Sequence, residues 1–96
     1  MPLQPDEPKE WEFTIQTSEG DLPLKVRKIA SSNVEWVGWP STPGSADLLV
    51  VQFQGGARYI YFGVTRQKAV ALANAKSTGV YLNTKIKKQH RCLKIR

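Results

Sequence analysis

The sequence predicts a small α+β fold: a curved, largely antiparallel sheet with one principal helix packed on one face and an added N-terminal hairpin. Three observations predict it. Short runs alternate apolar with polar residues at a period of two, Gly- and Pro-bearing turns separate those runs, and one segment after Thr65 repeats its apolar residues at helical spacing. With 96 residues, 41% hydrophobic and 23% charged, the chain is expected to fold as one domain around a modest core.

Residues 1–10 are the exception. They carry Pro2, Pro5 and Pro8, three acids and only Met1 and Leu3 as large apolar residues, which predicts a mobile, acidic, proline-rich arm. Residues 11–30 predict the added hairpin. Trp11, Phe13 and Ile15 alternate with Glu12, Thr14 and Gln16, then Ser18-Glu19-Gly20-Asp21 turns the chain, and Leu22, Leu24 and Val26 resume the alternation. Glu12 facing Lys25 or Arg27 suits that pairing.

Residues 31–96 form the remaining unit. A strand over Val34 to Trp39 is broken by Pro40 and a loop through Ser45. Leu48 to Phe53, the turn Gln54-Gly55-Gly56 and Arg58 to Phe62 predict a second hairpin. Thr65 is the expected N-cap of a helix reaching about Lys76, with Ala69, Val70, Leu72 and Ala73 on its buried stripe, Gln67, Lys68, Ala71 and Asn74 outward, and Gly79 as a stop. Leu82 and Ile86, four apart, suit a second short helix, with a strand as the alternative. Arg91 to Ile95 alternates once more and is placed to close the sheet, Cys92 inward.

The charges are distributed unevenly. All eight acids lie in the first 47 residues with four bases, and the other ten bases follow with no acid among them. A field of this kind attracts polyanions, and neutralising phosphate is its commonest use. The densest cluster is Lys85, Lys87, Lys88, Arg91, Lys94 and Arg96; interspersed acids would favour a plain solvated face, and there are none. No amphipathic apolar face accompanies the lysines, which places nucleic acid before membrane. With neither a long apolar run nor a secretory leader pattern, a cytoplasmic protein is expected.

Nothing points to catalysis. A single cysteine, Cys92, excludes an internal disulfide, and His90 with Cys92 supplies too few ligands for structural zinc. The basic half lacks the carboxylates that general acid and base chemistry uses. A non-enzymatic, monomeric protein without cofactor or metal is the expectation.

Ser31-Ser32-Asn33-Val34 opens a strand ending in Gly38-Trp39. Leu49, Val51, Phe53 and Gly56 follow, then Tyr59-Ile60-Tyr61 and Phe62-Gly63-Val64, and later Ala75, Ser77, Gly79, Tyr81, Asn83 and Ile86. This ordered series resembles the KTSC domain, a family named for the C-terminus of certain lysyl-tRNA synthetases and found also as small stand-alone bacterial and phage proteins. The resemblance covers Ser31 to about Ile95 and leaves the first 30 residues as an addition. Trp39 stands where a Tyr is frequent, and the loop from Pro40 to Ser45 is long. The resemblance implies RNA binding, a suggested and unsettled role in the family.

Tyr59 and Tyr61 project to one face of their strand. They read either as a stacking platform for unpaired bases flanked by Arg58, or as core beneath the helix. Ile60 and Phe62, on the opposite face, are the stronger core candidates. Gly79, Tyr81 and Asn83 read as a turn with loop-fixing bonds, as does Ser31-Ser32-Asn33. The expected function is binding of RNA or single-stranded nucleic acid through Arg58, Tyr59, Tyr61, Lys85, Lys87, Lys88, Arg91 and Lys94. The alternative is a protein-interaction module, phage-encoded in one version, that docks on and modulates an acidic host enzyme through the acidic arm or the Trp11, Trp36 and Trp39 set.

Overall fold

The computed structural model describes residues 10–18, 20–42, 44 and 47–96; the expected arm, but for Glu10, and part of the loop after Pro40 lie outside the described residues. Six strands form one open antiparallel sheet in chain order: β1 (Glu10–Thr17), β2 (Gly20–Lys28), β3 (Val34–Pro40), β4 (Leu48–Phe53), β5 (Arg58–Phe62) and β6 (Cys92–Lys94). Between β5 and β6 the chain makes α1 (Arg66–Ala73), α2 (Thr78–Tyr81) and a π-helical segment (Leu82–Ile86) that continues α2.

Each hairpin follows from its turn. In β1–β2, Glu12 pairs with Lys25, as the charge pattern anticipates, and Glu10 pairs with Arg27. Arg27 donates from Nε and Nη2 to Glu10 Oε2 at 3.0 and 2.6 Å, and Lys25 Nζ lies 3.4 Å from the other carboxylate oxygen. These hydrogen-bonded cations, Arg27 foremost, hold the Glu10 carboxyl below its ordinary value. In β4–β5 the chain reverses through Gly55 and Gly56, both at a positive φ that side-chain-bearing residues rarely adopt, and Phe53 N–H donates to Ala57 O at 2.8 Å. Pro40 ends β3 within the ladder, opposite Leu24, rather than breaking the strand before it.

Both faces of the sheet carry a core. On the helical side Val37, Trp39, Leu49, Val51 and Tyr61 meet Val64, Ala69, Leu72, Leu82 and Ile86. On the other side Ile15, Leu24, Val26, Trp36, Leu48 and Val50 pack together, with Trp11, Phe13 and Ile60 at their margin. A register shift between Val34 and Trp36 separates these two residues, which ordinary alternation would put on one face, into different cores.

The sheet is bent around the second core. β1 and β5 stand four strands apart, roughly 19 Å along a flat sheet at the usual spacing. Even so, the Arg58 guanidinium carbon lies 5.0 Å from the Phe13 ring centre and 5.3 Å from that of Trp36. Trp36 in turn meets the rings of Trp11 at 6.4 Å and Phe13 at 5.7 Å. A curled β1–β2 hairpin thus covers the face that no helix covers.

Several expectations are corrected. α1 ends at Ala73, capped by Asn74, short of Lys76, because the Ser77 hydroxyl accepts from Val80 N–H at 3.3 Å and starts a second helix immediately. With that second helical stretch of similar length, the fold has no single principal helix. Gly79, expected to stop a helix, lies inside α2, and Tyr81 and Asn83 stand on helical backbone rather than in a turn. Thr65 caps α1 as expected, its Oγ1 accepting from Lys68 N–H at 3.2 Å. Lys68, expected outward, is half-buried: its ammonium donates to Gln89 Oε1 and His90 Nε2, both at 3.0 Å. The other His90 nitrogen, Nδ1, faces Phe62 O at 2.9 Å, so its partners assign the proton to Nδ1.

Candidate functional site

Tyr59 and Tyr61 share a face, and it is the helical one. Burial sorts the residues around them. Tyr61 is 2% exposed and belongs to the larger core, whereas Phe62, expected inward, is 44% exposed. The α2–π segment brings Leu82 and Ile86 down onto the tyrosine side, while the curled hairpin stops short of Phe62. Two open rings for stacking are therefore not what the fold presents. Tyr59 remains half-buried, stacked on Tyr61 at 6.4 Å and meeting Phe53 edge-on at 5.7 Å.

Arg58 is not beside this face. Adjacent strand residues point to opposite sides, so it leaves toward the second core. There it donates to Gln52 Oε1 from Nε and Nη2 at 2.9 and 2.7 Å, and Gln52 Nε2 donates to Glu35 Oε1 at 3.1 Å. Burial, with the neighbouring Arg96 cation, lowers the Arg58 pKa from its ordinary value. Trp36 and Trp39 are likewise core residues, and of the three tryptophans only Trp11 is partly open. The tryptophan set is thus not an exposed anchor.

An open pocket of about 560 Å³ lies beside Tyr59, lined by Phe53, Ala57, Tyr59, Tyr61, Lys87 and Cys92. Its walls come from the end of β4, the following turn, β5, β6 and the residue just after the π segment. Lys87 Nζ stands 5.4 Å from the Phe53 ring centre, so a cation rims an aromatic floor. Register puts Lys94 opposite Tyr59 and Cys92 opposite Tyr61, both on this side of the sheet. Cys92, expected inward, is exposed, because β6 is an edge strand with no further strand beside it among the described residues. Burial, with smaller contributions from Cys92 and Tyr59, pushes the Tyr61 phenol up to about 12.

Lys85, Lys88 and Arg91 are exposed along the stretch from the π segment to β6. The ion pairs among the described residues are those of Glu10 with Lys25 and Arg27, so the C-terminal cations have no acidic partner there. No cluster of three or more metal-ligating side chains occurs among the described residues, and no helix among them is long and apolar enough to cross a membrane.

Phe53 is the pocket residue that alternation alone does not single out. The turn at Gln54-Gly55-Gly56 carries the signal, since it sets Val51 opposite Tyr59 and so leaves Phe53 diagonal to that ring. Lys87 and Lys94 are the cations brought to the tyrosines; Arg58 is turned away.

Among families, the KTSC domain matches residues 30–90, well over half of the chain. The match begins after β2 and ends before β6. No curated protein matches the chain.

Proposed function

The chain belongs to the KTSC domain family, and from that premise we propose that it is a cytoplasmic, non-enzymatic module that binds RNA or single-stranded nucleic acid. One observation carries this reading: a set of C-terminal cations without acidic partners among the described residues adjoins a half-open aromatic pocket. Phosphates supply the charge that Lys85, Lys87, Lys88, Arg91 and Lys94 lack, and unpaired bases supply flat faces for Tyr59 and Phe53. Arg58 contributes to the fold rather than to this surface, and Tyr61 holds Tyr59 in place.

The test is the salt dependence of binding to a short single-stranded oligonucleotide. Each neutralised phosphate adds about 0.7 to the slope of log affinity against log salt. Lys85→Glu with Lys88→Glu should weaken binding and flatten the slope while leaving the melt unchanged. No binding at low salt sinks the reading.

A second reading, docking on an acidic protein, has its own support. Phe62 (44% exposed), Leu93 (54%) and Ile95 (38%) are uncovered at the β5–β6 edge, near Arg91, Lys94 and Arg96. Capture of a lysate protein that survives nuclease treatment and is lost in Leu93→Ser would favour it.

A further inference from the structure

The groove beside the π segment continues past the aromatic pocket. A second pocket, of about 300 Å³, is lined by Asn33, Val34, Phe53, Gln54, Gly79, Leu82, Asn83 and Lys87. Phe53 and Lys87 belong to both pockets and form the wall between them. One pocket is aromatic, and the other carries the side-chain amides of Asn33, Gln54 and Asn83.

The chemistry of these groups is unspent. Gln54 Nε2 donates to Ser31 O at 3.3 Å, but the side-chain amides of Asn33 and Asn83 have no hydrogen-bond partner among the described residues. Asn83, expected to fix a loop, makes no side-chain hydrogen bond to a described residue, whereas the separate turn over residues 31–34 is held as expected by Ser31 Oγ, which accepts from Asn33 and Val34 N–H at 3.1 and 3.2 Å. The Tyr61 hydroxyl likewise makes no hydrogen bond to a described residue, and Tyr61 lines the aromatic pocket. Gly79 fits the same pattern. It sits in a helix without positive φ, where alanine is the better helix former, and a Cβ there would lie 3.9 Å from Asn33 Nδ2. Glycine leaves that amide uncovered.

We propose that the groove reads bases: the aromatic pocket takes one unpaired nucleobase, the amide pocket hydrogen-bonds an edge of its neighbour through Asn33 and Asn83, and Lys87 on the shared wall pairs with the phosphate between them. The proposal rests on the nucleic-acid reading and adds a base-dependent component to it. Ring stacking in the first pocket is sequence-tolerant, whereas side-chain amides, which both donate and accept, discriminate between base edges. Both pockets are of a size to hold small planar groups, ligand sites running from roughly 300 to 1,000 Å³.

Cys92 lines the aromatic pocket and is the only cysteine in the chain, so its thiol reports occupancy. The experiment compares single-stranded homopolymers with an abasic strand of equal length. It follows affinity by fluorescence anisotropy and the rate of Cys92 modification by a small maleimide at saturation. Base-bearing strands should bind roughly 5- to 100-fold more tightly than the abasic strand and should alone protect Cys92. Phe53→Leu, which keeps apolar bulk without a ring, should remove that advantage. Asn83→Ala, at an exposed position, should change the ranking among the homopolymers without changing the salt slope. Equal affinity of both strands, or equal protection by both, overturns the base-reading site and leaves phosphate binding standing. An unaltered ranking in Asn83→Ala overturns the amide pocket's part. No binding of any strand overturns both readings.

Discussion

Tyr61 shows how one burial event sets both packing and pH response. Its phenol is pushed up to about 12 because the ionised form would sit in the core. An unfolded Tyr ionises near pH 10, so above that value the unfolded chain gives up a proton that the folded chain keeps. The sign follows: stability is full below about pH 10 and falls as pH rises toward 12. Denaturation midpoints measured across that range should show the fall in the wild type and a shallower one in Tyr61→Phe. An equal fall in both would mean that the phenol is not the group responsible. Arg58, turned to the opposite face, predicts a different dissociation of properties. Arg58→Ala removes two charge-assisted bonds to Gln52 and the contacts over Phe13 and Trp36, a loss of about 2 to 3 kcal/mol. Oligonucleotide affinity of the folded fraction should be unchanged, and a parallel loss of affinity would return Arg58 to the binding surface.

At the scale of elements, local chemistry decides where the helices begin. Thr65 and Ser77 each accept from a backbone N–H three residues on, and two caps so close in sequence make two short helices in place of one longer one. Thr65→Ala and Ser77→Ala should each cost about 1 kcal/mol in chemical denaturation. A cost near zero for Ser77→Ala would mean that packing of Leu82 and Ile86 alone positions α2. The strands were legible because alternation and turn residues are local signals. Leu48 to Phe53 and Arg58 to Phe62 fall where the pattern puts them, as does the Glu12–Lys25 pair. The facing of β5 was not legible, because both of its faces are apolar and only the distant π segment and the curl of β1 decide which is buried more deeply. The same gap in information hid the pocket: Lys87, Tyr59 and Phe53 meet only once the segment after α1 has folded back across the sheet. A helical spacing of four at Leu82 and Ile86 pointed to a helix but could not announce its π character, which rests on the bond from Lys87 N–H to Leu82 O at 2.8 Å.

At the scale of the whole molecule, the KTSC match starts at Ala30, and the β1–β2 hairpin lies outside it. The packing makes that hairpin structural. Ile15, Leu24 and Val26 are half of the buried residues of the second core, and they cover Trp36, Leu48 and Val50 on the face that carries no helix. Burying an apolar side chain of this size is worth roughly 1.5 to 3 kcal/mol, so uncovering these three and Ile60 removes roughly 6 to 12 kcal/mol as an upper estimate. Small domains have only about 5 to 15 kcal/mol of net stability. A fragment of residues 30–96 should therefore lack a cooperative melt, expose its tryptophans and bind hydrophobic dyes, although it contains every residue of the family match and of the groove. Supplying the hairpin as a separate peptide of residues 10–28 should restore part of the transition, since the β2–β3 pairing of Leu24 to Lys28 with Trp36 to Pro40 gives it a register to dock in. A fragment that melts cooperatively on its own would show that the helical-side core suffices, and that the hairpin is dispensable to the fold.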